Sequence, residues 1–316
     1  MPLLALGAVL LAAGCQRTLL RPFDLDVPPQ VLTDAARAGV IDVRARFREI
    51  WCGIRADRGS RLPDDRPCED ALVRFEGEGA PTGRPVGITP PSGGLRVVVV
   101  PGLVGDCVKA TIVPWSDGLA HLSSLGYRTE IVWVSGRSSS THNARQLREA
   151  VTAMSLAPGE RLLVLGYSKG AVDMLEALAS YPEIVPRVAA LVSVGGAING
   201  SPVIDGLLRR FGDIIKYVPA SRCEEGDGGA LDSLRPHYRQ RWLATAALPT
   251  AVQYFSLAGV VDESEASWPM RLRWRRLAAL DPRNDGQVIW SDAVIPGSKL
   301  LGYLRADHLA MALPFS

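Results

Sequence analysis

Ser168 stands between two glycines in Gly166-Tyr167-Ser168-Lys169-Gly170, at a change of pattern along the chain. Leu162-Leu163-Val164-Leu165 before it reads as an apolar strand, and Ala171-Val172-Asp173-Met174-Leu175-Glu176-Ala177-Leu178 after it reads as a helix. A serine on a strand-to-helix turn of the form G-x-S-x-G is lifted above the sheet edge as a nucleophile, and the flanking glycines are needed because larger side chains would collide there. The backbone N–H of Lys169 and the N-terminus of the following helix favour negative charge at that point. The chemistry in prospect is acyl transfer through an activated hydroxyl, which needs a base and an orienting acid.

On such an elbow the partners follow in the order Ser, Asp or Glu, His. Of the four histidines, His121 and His142 precede the serine, His237 precedes the acid candidates, and only His308 follows everything. Two carboxylates compete for the acid: Asp262, after the apolar run ending at Leu257, and Asp285, in the turn Arg283-Asn284-Asp285-Gly286-Gln287-Val288. Asp307, adjacent to His308, reads as a surface or supporting residue.

These residues need a rigid frame, and 47% hydrophobic residues over 316 positions can build one. From Leu95 short apolar runs alternate with helical periods, the pattern of an α/β protein with a mostly parallel sheet. Strands are predicted at Leu95–Val100, Thr129–Val134, Arg161–Leu165, Val188–Val194, Ala251–Leu257 and Gln287–Trp290. Helices are predicted at Ser116–Leu125, Thr141–Ser155, Lys169–Ser180, Pro202–Tyr217 and Ser267–Leu280. The all-apolar Val97-Val98-Val99-Val100 suits a sheet covered on both faces. Residues 16–94, rich in Pro, Gly and Arg with one helix predicted at Leu32–Trp51, read as an N-terminal extension to a domain over 95–316. A balance of 35 Lys and Arg against 33 Asp and Glu argues against nucleic acid as a main partner. No spacing resembles a zinc site, and no cofactor is expected.

Asn284-Asp285-Gly286-Gln287-Val288, followed by a histidine 23 positions later, resembles the bacterial triacylglycerol lipases of the α/β-hydrolase superfamily. The resemblance implies the α/β-hydrolase fold, with helices on both faces of the sheet and a helical lid, and it implies Asp285 as the acid with Asp262 as the alternative. Gly200-Ser201-Pro202-Val203-Ile204-Asp205 is similar to the run that opens the lid of those lipases, placing a lid at about 199–249. In it Ser201 is a candidate helix cap, and Ile204, Leu207, Leu208, Phe211, Ile214, Ile215 and Val218 share one face. By position, the N–H of Leu103 in Pro101-Gly102-Leu103 becomes an oxyanion donor beside that of Lys169. Pro101 replaces the family's histidine, Tyr167 and Lys169 replace its usual elbow residues and would shape the entrance, and Ala310 stands where the lipases carry a calcium-ligating Asp, so no calcium site of that kind is expected. The implied activity is a serine carboxylic-ester hydrolase acting on small-molecule or lipid esters through an acyl-enzyme. The alternatives are an acyltransferase with the same triad and an inactive hydrolase-fold lipoprotein that binds a lipid or protein.

Met1 to Gly14 is an uncharged apolar run of fourteen residues, shorter than the roughly 20 of a membrane span, and reads as a signal-peptide core. Leu11-Ala12-Ala13-Gly14-Cys15 resembles a bacterial lipobox, implying lipidation at Cys15, export to the cell envelope and membrane attachment through the lipid; an ordinary secretory signal or a short buried helix is the alternative. The remaining Cys52, Cys68, Cys107 and Cys223 allow three disulfide pairings. Cys52 with Cys68 would close a short loop and leave Cys107 for Cys223, against the alternative of free thiols. Arg271, Arg273, Arg275 and Arg276 read as the solvated face of a core helix.

Overall fold

The structure is a computed structural model that describes residues 39–59, 66–87, 94–204, 223 and 226–313. The leader with Cys15, and residues 205–222, 224 and 225 of the predicted lid, lie outside the described residues.

The strands are β1 (Ile41–Asp42), β2 (Leu72–Val73), β3 (Leu95–Val100), β4 (Arg128–Ile131), β5 (Arg161–Tyr167), β6 (Val188–Val194), β7 (Gln253–Gly259) and β8 (Lys299–Leu304). They join one sheet in the order β1-β8-β7-β6-β5-β3-β4, every pair along that path parallel. β2 adds antiparallel to β8, so two pieces of the segment before Leu95 share the outer edge of the last strand. The helices of the described residues are α1 (Arg44–Arg58), α2 (Cys68–Ala71), α3 (Gly105–Val108), α4 (Ser116–Ser124), α5 (Ser140–Ala153), α6 (Lys169–Ser180), α7 (Pro236–Thr245) and α8 (Trp268–Ala278).

Side-chain alternation distributes the core to both faces of the sheet. Along β3, Val98 and Val100 join the cluster with Leu147 of α5 and Val172 and Leu175 of α6. Val97 and Val99 point the other way, onto Leu119 of α4. The strand order reverses at β3, whose successor β4 lies on one side and β5 on the other. The crevice at the carboxyl ends of β3 and β5 is where a sheet of this kind presents ligands, and Ser168 follows the last residue of β5.

Two expectations are corrected. Residues 287–290 do not form a strand: a single bridge joins Asn284 to Ile289, a 3₁₀ turn follows at Trp290–Ala293, and the last strand is β8. The N–H groups of Gln287 and Val288 donate to the carboxylate of Asp285 and are lost to any ladder. Of the helix predicted at Leu32–Trp51, residues 32–38 lie outside the described residues, residues 39–43 are not helical, and the helix runs Arg44–Arg58, because Ile41 and Asp42 pair with β8 and the Asp42 carboxylate accepts the Arg44 N–H at 3.0 Å.

Candidate active site

Ser168 adopts φ 53° and ψ −121°, a conformation that non-glycine residues rarely occupy. Its N–H donates to the carbonyl of Val194 at 3.0 Å, which holds the turn against the end of β6. The neighbouring glycines have a steric reason. A Cβ on Gly166 would lie 2.5 Å from the Cα of Ala171, and one on Gly170 would run into the carbonyl oxygens of Val100 and Pro101. Among the described residues, the non-glycine residues with positive φ are Val104, Trp115 and Ser168. Val104 and Ser168 line one cavity, and the Trp115 ring packs edge-on against Tyr167, which lines it too.

His308 connects the serine to an acid. Its Nε2 lies 2.8 Å from the Ser168 Oγ and its Nδ1 2.8 Å from Oδ2 of Asp285. The other Asp285 oxygen accepts the N–H groups of Gln287 at 2.7 Å and Val288 at 2.6 Å, so the buried carboxylate is fully engaged. The turn carrying it depends on Gly286 at φ 84°, with the Gly286 N–H donating to the side chain of Asn284 at 2.9 Å. Asp262 is exposed, at the start of a turn in which its carbonyl accepts from Glu265 and Ala266.

The loop bearing His308 is fixed from three directions. The Tyr167 hydroxyl donates to the His308 carbonyl at 2.6 Å, and its ionisation is pushed above the ordinary phenol range by burial and then by the charges of Asp285 and Asp307. Oδ1 of Asp307 accepts the N–H groups of Leu309 and Ala310, and its Oδ2 accepts that of Ser267, where α8 begins. Trp115 donates from its indole nitrogen to the Met311 carbonyl at 2.8 Å.

Leu103 follows Gly102, which packs so closely on the serine that a Cβ there would lie 2.8 Å from that of Ser168. The loop continues into Val104, whose N–H donates to the Gly136 carbonyl at 3.1 Å, while the Gly136 N–H donates to the buried carboxylate of Asp106 at 2.8 Å. Lys169 opens α6, so its N–H is one of the donors that a helix leaves unpaired at its N-terminus. Its side chain does not shape the entrance as expected: it is buried, and its Nζ lies 2.6 Å from Oδ1 of Asp173, four residues on along the helix. Asn143 donates to the other Asp173 oxygen at 2.7 Å.

The cavity over Ser168 is about 370 Å³ and mostly apolar, with Leu103, Val108, Trp133, Leu234 and Leu313 among its walls. His142 is not among them. Three polar residues that the sequence does not assign to the cavity, Ser201, Arg273 and Gln287, also line it. The Ser201 hydroxyl donates to the Gln287 carbonyl at 2.6 Å, tying the segment after β6 to the turn that carries Asp285, while residues 205–217 of the helix it is expected to cap lie outside the described residues. Arg273 also lines the cavity and donates to the side chain of Gln287 at 2.7 Å, which corrects its place on a solvated face. The signal was there, since Met270, Arg273 and Leu277 recur at three- and four-residue spacing with both apolar members buried.

Cys52 is bonded to Cys68 and Cys107 to Cys223. The first pair joins α1 to α2, and the second anchors α3, directly after the Leu103 loop.

No family model matches the chain. A curated relative from Streptomyces avermitilis, described as "Putative ABC transporter ATP-binding protein", is 29% identical over 119 residues; the match takes in 38% of this chain, which spans only 21% of that protein. None of Lys109, Lys169, Lys216 and Lys299 follows a glycine, so the sequence lacks the Gly-Lys pair of a phosphate-binding P-loop. The lipase BlEst2 of Bacillus licheniformis in its mature form superposes with a TM-score of 0.57 at 21% identity, over 72% of this chain and 90% of that one, a likeness of fold. The metagenomic carboxyl esterase MGS0156 is similar over 92% of this chain and 88% of its own, with 45% identity and a TM-score of 0.85. On that identity and coverage, joined to a mostly parallel sheet with its serine at the elbow after β5, the chain belongs to the esterase and lipase family of α/β-hydrolases, serine hydrolases that act on esters.

Proposed function

We propose that the protein hydrolyses carboxylic esters with Ser168 as nucleophile, His308 as general base and acid, and Asp285 as the acid that orients His308. The observation that carries this reading is the unbroken chain of contacts at the cavity floor, 2.8 Å from Ser168 to His308 and 2.8 Å from His308 to Asp285, on a serine held at positive φ. His308 takes the Ser168 proton through Nε2 as Oγ attacks the acyl carbonyl, and Asp285 stabilises the imidazolium that forms. The oxyanion is held by the N–H groups of Leu103 and Lys169, worth about 3 kcal/mol each. His308 then gives its proton to the departing alcohol, and water, activated by the same imidazole, releases the acid from the acyl-enzyme.

The similarity to a carboxyl esterase supports the substrate class, and the apolar walls support an acyl or alkyl group as the part enclosed. The two disulfides support an exported protein, since such bonds persist in oxidising compartments, with Cys15 carrying lipid as the accompanying expectation.

The test is hydrolysis of p-nitrophenyl esters from acetyl to palmitoyl, with labelling by a fluorophosphonate, on the chain without residues 1–14 and on its Ser168→Ala variant. Both signals present in the parent and lost in the variant are the expected result. Absence of both from the parent overturns the reading.

A further inference from the structure

We infer that Arg273 selects esters whose enclosed group carries a carboxylate, an assignment that rests on the esterase reading above. Arg273 projects from α8 into the wall of the cavity that also holds Ser168 and His308. On the same helix Arg275 lies 2.6 Å from the carboxylate of Glu263, and Arg271 donates to the Ala266 carbonyl at 3.1 Å. Arg273 has no carboxylate partner among the described residues, and its side-chain contact is the neutral amide oxygen of Gln287 at 2.7 Å. A guanidinium offers five N–H donors in a planar fork, and Gln287 uses one.

The setting makes this charge costly in the free protein. Burial, then the neighbouring charge of Arg276, hold the guanidinium below its usual ionisation range. A carboxylate entering the cavity would supply both the counter-charge and the bidentate acceptor that the fork suits. One guanidinium balances one carboxylate, whereas a phosphate dianion would leave charge uncompensated against walls such as Met270, Leu234 and Leu309. The expected substrate is therefore an ester with an apolar body ending in a carboxylate, such as a half-ester of a dicarboxylic acid or an ester of a hydroxy acid.

A purely structural role is the rival explanation, because Gln287 also donates its N–H to Asp285 and Arg273 could act only by steadying that turn. Two matched pairs of esters separate the possibilities. On the acyl side, 4-nitrophenyl hydrogen glutarate is set against 4-nitrophenyl pentanoate; on the alcohol side, 4-acetoxybenzoate is set against its methyl ester. In at least one pair Arg273→Met should lower kcat/KM for the charged member by roughly 10- to 100-fold, mainly through KM, while the neutral member changes only a few-fold. Arg273→Lys should restore part of the activity on the charged ester alone. The assignment is overturned if both members of each pair fall together, as a steadying role requires, or if the ratio of charged to neutral activity is unchanged. Failure of the parent to hydrolyse either neutral ester, with no fluorophosphonate label, overturns the esterase reading itself and the assignment with it. A labelled parent whose substitution at Arg273 leaves the ratio unmoved overturns the assignment alone.

Discussion

Asp285 and His308 are joined twice, by the side-chain contact of 2.8 Å from Oδ2 to Nδ1 and by a backbone hydrogen bond of 2.8 Å from the His308 N–H to the Asp285 carbonyl. The second bond survives any change of side chain, so Asp285→Asn should keep the loop in place while losing the charge and the imidazole orientation. We expect kcat to fall by roughly 10³- to 10⁴-fold with little change in KM. Asp262→Asn, at an exposed turn, should leave kcat within a few-fold of the parent. Steady-state kinetics on one p-nitrophenyl ester measures both, and equal losses would remove Asp285 from its proposed role.

Lys169 separates two functions in one residue. Its ammonium is buried against Asp173, so Lys169→Met strands a buried carboxylate and should cost about 3–5 kcal/mol of stability. Adding Asp173→Asn removes the stranded charge and should recover much of that loss. Because the oxyanion is assigned to the backbone N–H of residue 169, the double variant should keep kcat within about 10-fold of the parent. Denaturant unfolding and kinetics on the three proteins check this. A much larger loss of kcat in a stably folded double variant would give the ammonium a part in the chemistry.

Asp292 should supply a pH dependence of stability from outside the proposed triad. It is buried, its Oδ2 has no hydrogen-bond partner among the described residues, and burial, with a smaller effect of Asp281, pushes its carboxyl up to about 7. In the unfolded chain it titrates near pH 3.9. The folded state therefore binds a proton that the unfolded state has released, and stability falls as pH rises from roughly 4 to 7, by on the order of 4 kcal/mol. Asp292→Asn should raise Tm at pH 8 and leave it nearly unchanged at pH 4. Thermal unfolding across that range reads the difference, and a gap that does not vary with pH would contradict it.

The two disulfides should differ in what they control. Cys107–Cys223 spans 116 positions and Cys52–Cys68 spans 16, for which loop closure gives about 5 and 3 kcal/mol. Cys107 belongs to α3, directly after the loop that carries Leu103, whereas Cys52 and Cys68 sit beside the sheet edge. Replacing Cys107 and Cys223 by serine should lower both Tm and kcat. Replacing Cys52 and Cys68 should lower Tm with kcat unchanged, and equal effects on kcat would break the distinction.

What the sequence made legible follows from how local each cause is. β3, β6 and α6 begin and end where the apolar runs and the Gly-x-Ser-x-Gly turn place them, because buried parallel strands and an elbow are specified within a few residues. Chain order singles out His308, whose ring lies beside Ser168, whereas only a family motif favours Asp285, since the Asp262 carboxylate looks as plausible until the turn at Gly286 is built. The sequence does not show β8 because the strand opens on Lys299 and Gly302 interrupts its apolar run, and its place is set by β7, β1 and β2 around it. Arg273 was misread by charge alone. Its residue type says solvent, while its helical spacing from Met270 says interior, and the cavity beside it resolves the conflict.

With Ser168 as the proposed nucleophile, its positive φ sets activity and durability against each other at a single residue. A glycine at 168 would adopt the same backbone angles without strain, and Ser168→Gly should unfold at a higher temperature than the parent while being inert. Directed evolution for heat resistance alone, with no screen for turnover, would therefore be drawn toward discarding the proposed nucleophile. Gains in robustness compatible with ester cleavage must come from elsewhere in the molecule, and Asp292 is one place to begin.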